Sequence, residues 1–120
     1  MTTFGLVLDC ADPETLAAFW AAALGYVTLG VAGSYVLLVA ADRNQPKLLL
    51  QRVPEAKTVK NRMHLDIVTP DIHREAARLE ALGARQVARE ERSEHGSTWV
   101  LMEDAEGNEF GICDGGTGGA

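Results

Sequence analysis

Cysteine, aromatic residues, long apolar runs and positive charge are all in short supply in this chain, and each shortage removes a class of protein. Its two cysteines, Cys10 and Cys113, form no C-x-x-C pair, so both read as reduced core thiols rather than a disulfide or thiolate metal site. No apolar stretch approaches the roughly 18 residues that a membrane helix needs. The opening "MTTFGLVLDC" lacks a basic segment, a long apolar segment and a small-residue cleavage site. A cytoplasmic protein with no membrane partner is therefore expected. Lys and Arg total 11 against 17 Asp and Glu, a formal net charge of −6. Nucleic-acid binding draws on clustered positive charge, so no nucleic-acid partner is expected, whereas a cationic ligand is compatible. No Ser-His-Asp or Cys-His arrangement, phosphate loop or nucleotide fingerprint is visible.

What remains is ordinary for a folded domain: 120 residues, 47% hydrophobic and 23% charged, suited to one core. Residues 4–10, "FGLVLDC", read as a strand. "ADPETLAAFWAAALGY" follows, with Asp12 as N-cap, Pro13 at the first helical position and Glu14 complementing the helix N-terminus. Leu16, Phe19, Trp20 and Ala23 fall on one helical face, and Gly25 suits the left-handed closing position. A short strand is expected over Thr28 to Gly30, and "SYVLLVAA" and "PKLLLQRV" frame a hairpin around "DRNQ".

The second half repeats this order. "MHLDIVT" reads as a strand, Asp71 as an N-cap, and Ile72, Ala76, Leu79 and Leu82 as a helical stripe closed by Gly83. "RQVAREER", "STWVLME" and "NEFGIC" read as three more strands, with turns at "HG" and "DAEGN". The interval from Asp12 to Asp71 matches that from Gly25 to Gly83 to within one residue. Two copies are too few for a solenoid. The expected fold is α+β: two tandem βαβββ modules whose uncovered faces pair into a cupped mixed sheet. Module one spans 4–53, a linker 54–62, module two 63–113, and a Gly-rich tail 114–120. Arg52, Lys57, Lys60 and Arg62 around the linker read as a solvated loop, with an anion clamp as the alternative.

The paired modules, the helix ending in Leu-Gly-Tyr and "EDAEGNEFGIC" after a hairpin resemble the vicinal oxygen chelate superfamily of glyoxalase I, bleomycin resistance proteins and extradiol dioxygenases. Within it, the chain looks most like small single-domain glyoxalase-like proteins of actinobacteria. The resemblance implies a concave sheet holding either a divalent metal or a bound small molecule. In the metal enzymes each module offers one ligand from its first strand and one from its last, usually His, Gln or Glu.

Counting back equally from each helix cap reaches Gly5 in module one and His64 in module two. The last strand of module one offers Gln51. Aligning the family's "DPDGN-x-x-E" with "DAEGNEFG" puts Gly111 where the ligand glutamate stands. Glycine has no ligating side chain, and hard cations want several oxygen donors. No cofactor is therefore expected; if a divalent metal binds, its ligands would be His64, Gln51 and Glu109, or a site rebuilt from His64, Asp66 and Glu109.

Strand alternation puts His64, Asp66 and Val68 on one face. Glu109, Gly111 and Cys113, then Trp99 and Leu101, share the corresponding face of their strands. In module one Val7, Asp9, Leu49 and Gln51 do so. Leu6, Leu8, Leu48, Leu50, Leu65, Ile67, Phe110 and Ile112 should face the helices. Trp99 reads either as core or as a platform for a planar or cationic ligand. Tyr35 could close one end of the cleft, Trp20 is core or a dimer contact, and His73 and His95 are surface residues. Gly5 and Gly111 leave room for an organic molecule, unless they mark a bulge or bend.

These readings lead to a small-molecule binder of the resistance or sequestering type. His64 and Asp66 are its central polar pair, and Gln51, Trp99, Leu101, Glu109, Asp9 and Tyr35 its ligand contacts. The alternatives are a metal-dependent lyase, isomerase or dioxygenase with a rebuilt site, a metal-free acid–base enzyme using His64 with Asp66, and a non-catalytic partner domain. The resemblance also implies a homodimer.

Overall fold

The structure, a computed structural model, describes residues 3–87, 92–94 and 97–114. His95, the "HG" turn and most of the glycine tail lie outside them. The chain divides into two compact units, Met1–Lys57 and Thr58–Ala120; the first has the β-α-β-β-β order expected of a module, and the second has one further short strand after its helix.

In the first unit β1 (Leu6–Cys10) leads into α1 (Pro13–Leu24), then β2 (Tyr26–Ala32), β3 (Tyr35–Ala40) and β4 (Leu48–Arg52). The sheet order is β1-β4-β3-β2, with β1 and β4 parallel and the other pairs antiparallel. The helix starts where Asp12 accepts hydrogen bonds from the Thr15 amide at 3.2 Å and the Thr15 hydroxyl at 2.7 Å. These bonds hold the Asp12 carboxyl below its ordinary pKa. The helix ends at Gly25, whose φ of 69° is left-handed, a conformation open to glycine at little cost. Leu16, Phe19, Trp20 and Ala23 are buried. Phe19 and Trp20 meet edge to face at a centroid distance of 5.1 Å, so Trp20 is core. Across from them, Leu48, Leu50, Val36 and Leu38 are buried. Each such side chain contributes about 1.5–3 kcal/mol by leaving water.

Strand β2 runs well beyond the expected Thr28–Gly30, because pairing with β3 continues from Tyr26 to Ala32 through a register shift between Thr28 and Gly30. Cross-strand bonding extends a strand past what β-propensity alone marks. Strand β1 is shorter than expected. It opens at Leu6, and Phe4 is 71% exposed.

In the second unit β5 (Asp66–Val68) precedes α2 (Ile72–Ala81), β6 (Arg85–Gln86), β7 (Arg92–Glu94), β8 (Ser97–Glu103) and β9 (Glu109–Cys113). The order is β5-β9-β8-β6, with β7 also paired to β8. Strands β6 and β7 both lie on the edge of β8 opposite β9. Together they take the place that β2 has in the first unit, so each module is one helix and a four-position mixed sheet. The Asp71 side chain caps α2 by accepting from the Arg74 amide at 3.1 Å. Ile72, Ala76 and Leu79 are buried.

Two expectations need correction. Leu82 does not continue the buried stripe. It is the C-cap, 39% exposed, and the chain turns at Gly83 with φ 115°. His64 does not lie in mid-strand. Ladder pairing with β9 begins at Asp66, preceded by one further bond from the Gly111 amide to the Leu65 carbonyl at 2.8 Å. Upstream of it, side chains replace the ladder: the Asn61 amide donates to Glu109 Oε1 at 2.9 Å and the Glu109 amide donates to Asn61 Oδ1 at 2.8 Å.

The α2 surface carries a bidentate pair in which Arg78 donates to both oxygens of Glu75 at 2.8 Å. Arg78 holds the Glu75 carboxyl below its ordinary 4.5. Since the folded value is the depressed one, the stabilisation is full above 4.5 and is lost as pH falls through the folded value. Glu75→Gln should cost roughly 0.3–0.5 kcal/mol at neutral pH, and the gap to the parent should close on acidification. Urea midpoints compared across that window measure it; a gap that widens toward low pH would rule this out.

Candidate functional site

Each sheet has one face packed on its helix and one face free of it, and the free faces carry the candidate residues. In module one, register aligns Asp9, Gln51 and Tyr35 across β1, β4 and β3, so three of the expected ligand contacts form one row. Asp9 is exposed, Gln51 half-buried and Tyr35 43% exposed. The neighbouring row is Val7, Leu49 and Leu37, an apolar strip beside a polar one.

In module two the rows are Asp66, Gly111 and Leu101, then Val68, Cys113 and Trp99, then Glu109 and Glu103. Trp99 and Leu101 are half-buried, and Cys113 is buried although it lies on this face. Glu109 and Glu103 are directly opposed, an arrangement that like charges disfavour. Each has a partner: the Asn61 amide for Glu109 and Arg85 for Glu103.

His64 and Asp66 come together. The Nδ1 of His64 lies 3.4 Å from Asp66 Oδ1, and the two side chains are 29% and 27% exposed. The same nitrogen lies 3.4 Å from the Leu65 carbonyl oxygen. Asp66 lies over Gly111. A Cβ built on Gly111 would fall inside contact distance of Asp66 Oδ1 and 3.4 Å from its Cγ. The room left by the missing side chain at 111 is thus filled by a carboxylate from the neighbouring strand.

Register also relocates one expected position. Counted from the caps, Val7 and Asp66 are equivalent; Val7 pairs with Leu49 and Asp66 with Gly111. The counterpart of Gly111 in module one is therefore Leu49, and Gln51 lies one alternation further along, beside Asp9. At the other counterpart, a Cβ on Gly5 would stand 3.0 Å from Cγ and 3.3 Å from Cε of Lys47, so an ammonium-bearing chain passes over it. A divalent ion needs several oxygen or nitrogen donors with negative charge among them. Of Gly5 and Leu49 in module one and His64 and Gly111 in module two, only His64 carries a ligating side chain. Among the described residues, no three His, Cys, Asp or Glu side chains are grouped to hold one.

Of the other residues considered, His73 is exposed on α2. A surface concavity of about 690 Å³ lined by Thr69, Pro70, Asp71, Arg74, Glu75, Ala77 and Arg78 takes in neither His64 nor Asp66. Sequence reasoning missed two structural groups beside the site, Asn61 and Asp104. Asp104 is 1% exposed, and the only signal for it was its place at the head of "DAEGN". No helix among the described residues is long and apolar enough to cross a membrane.

Two βαβββ-like modules in succession along one chain define the class of the glyoxalase, bleomycin resistance and dioxygenase fold. Three solved structures illustrate the likeness. A mutant fosfomycin resistance protein, FosX, from Listeria monocytogenes, complexed with Mn(II) and dihydroxypropylphosphonic acid, superposes with a TM-score of 0.76 at 15% identity over 97% of this chain and 90% of that one. A protein of Agrobacterium tumefaciens gives 0.75 at 20% identity, covering 95% and 98%. A glyoxalase/bleomycin resistance protein/dioxygenase family enzyme from Burkholderia phytofirmans gives 0.74 at 14%, covering 90% and 94%. The chain belongs to the glyoxalase-like domain family, whose model matches residues 5–113. No curated protein matches the sequence.

Proposed function

We propose that this glyoxalase-like domain binds a small organic molecule, in the manner of resistance or sequestering proteins, without a complete metal site. The observation that carries this reading is the Asp66 carboxylate over Gly111, where the resemblance would have a ligand glutamate. His64 and Asp66 form the central polar pair. Trp99 and Leu101 supply apolar surface, Glu109 lines the same face, and Asp9, Gln51 and Tyr35 form the polar row of module one. The acidic balance of the chain, −6, favours a cationic or aromatic ligand over an anion. The molecule acts in the cytoplasm as a homodimer. In support of pairing, β2 is an edge strand among the described residues and exposes Val27, Leu29 and Val31, apolar groups of the kind a second copy covers.

The test has two arms. Protein purified without chelator should carry far less than one equivalent of divalent metal, and a stoichiometric ion lost in His64→Ala would retire the reading in favour of a metal enzyme. Tryptophan fluorescence should be quenched by members of a cationic aromatic panel, with His64→Ala weakening binding about tenfold or more, the worth of one good polar contact. The contact between His64 and Asp66 also favours one second reading, a metal-free acid–base enzyme. Turnover of a bound panel member that disappears in both His64→Ala and Asp66→Ala would establish it.

A further inference from the structure

The atom of His64 that meets the ligand follows from its surroundings. Its Nδ1 faces two oxygens, Asp66 Oδ1 and the Leu65 carbonyl, each at 3.4 Å. Both oxygens are acceptors, so a bare lone pair on Nδ1 would be repelled by each, whereas an N–H there is shared between them. A neutral imidazole has one N–H, and the hydrogen bond at one nitrogen sets the state of the other. Nε2 therefore carries the lone pair, and it makes no hydrogen bond among the described residues.

Asp66 Oδ1 is the same oxygen that any Cβ at position 111 would meet. Gly111 has no left-handed φ, so alanine suits its backbone, and the other close neighbour of the added carbon, the Val100 carbonyl oxygen, is at an ordinary 3.9 Å. The group that must give way is the Asp66 carboxylate, the end of a short flexible side chain. The geometry points to a three-part device: Gly111 leaves space, Asp66 fills it as a positioning residue, and His64 is held as its Nδ1–H tautomer with Nε2 presented as an acceptor. The matching ligand group is a hydrogen-bond donor, and beside Asp66 and Glu109 on one face that donor is a protonated amine. This deepens the proposed function and rests on it for the ligand, though not for the tautomer.

Long-range proton–nitrogen NMR of nitrogen-15 protein, recorded at a pH where His64 is neutral, reads the tautomer directly without any ligand. The parent should show His64 mainly as Nδ1–H. Asp66→Ala and Gly111→Ala should both lower the Nδ1–H share in favour of Nε2–H, the Leu65 carbonyl still facing Nδ1, with the backbone amide spectrum otherwise kept, and Asp66→Asn, which retains an acceptor oxygen, should lower it less. An Nε2–H parent, or a Gly111→Ala protein with the parent tautomer, would overturn the device. For the ligand class, benzylamine should shift the His64 resonances and benzyltrimethylammonium, which has no N–H, should do so several-fold less. Equal shifts, or none from either, would overturn the amine assignment. A parent with the expected tautomer but no binding affected by His64→Ala would instead count against the proposed function alone.

Discussion

Replacing Asp104 with alanine should destabilise the protein by about 2–4 kcal/mol, among the largest effects available from a single polar side chain. Asp104 is 1% exposed. Its Oδ1 accepts from the Glu106 amide at 2.9 Å, the Asn108 amide at 3.0 Å and Asn108 Nδ2 at 3.1 Å, and its Oδ2 accepts from Nδ2 at 3.0 Å. The backbone closes the same loop, with the Asp104 amide donating to the Asn108 carbonyl and the Gly107 amide to that of Asp104, both at 2.9 Å. Gly107, at φ 84°, gives the turn its left-handed step. Alanine strips the shared acceptor from a buried cluster of donors, and each orphaned donor retains its desolvation cost. Asp104→Asn keeps one acceptor oxygen and should lose less. Urea unfolding separates the three proteins; if the alanine variant lies within about 0.5 kcal/mol of the parent, the carboxylate does not hold the turn. The site depends on this loop because Glu109 and Gly111 follow it directly.

Phe110→Ala should cost about 3–5 kcal/mol, the range for truncating a fully buried aromatic residue. Phe110 is 1% exposed, and Ile112, Met102 and Val100, on the same side of β8 and β9, are 3% exposed or less. Its neighbours in sequence, Glu109 and Gly111, belong to the opposite face, where ligand contact is proposed. Val68→Thr on that opposite face, at 65% exposure, should change stability by less than about 0.5 kcal/mol. Measured by the same denaturation, a Phe110→Ala loss under about 1 kcal/mol would show that the helix-facing side of β9 is not the core of this module.

Alternation carried much of this architecture into plain view. Leu48, Leu50, Phe110 and Ile112 were expected against the helices and are buried, because a period of two encodes which side of a half-covered strand meets the core. The caps at Asp12 and Asp71 and the turn at Gly25 were equally legible, since each is a local demand of backbone geometry. Leu82 fell outside its helical stripe because the final turn of a helix is set by the chain that follows it. His64 lies outside the strand because the Asn61 side chain accepts from the Glu109 amide that a continued ladder would use, and propensity carries no sign of that distant contact.

The amino-acid order alone therefore determined the two modules, their helices and the side of each strand that meets the core, since all of these are written in short-range spacing. Only the folded chain decided what stands beside what: Asp66 over Gly111, Gln51 with Asp9 and Tyr35 rather than at the place matching Gly111, and Asn61 against Glu109. Three of those pairings, Asp66 with Gly111, Asp9 with Gln51 and Asn61 with Glu109, join residues more than 40 apart. Their register is selected by packing of the whole sheet, and local spacing carries no record of it.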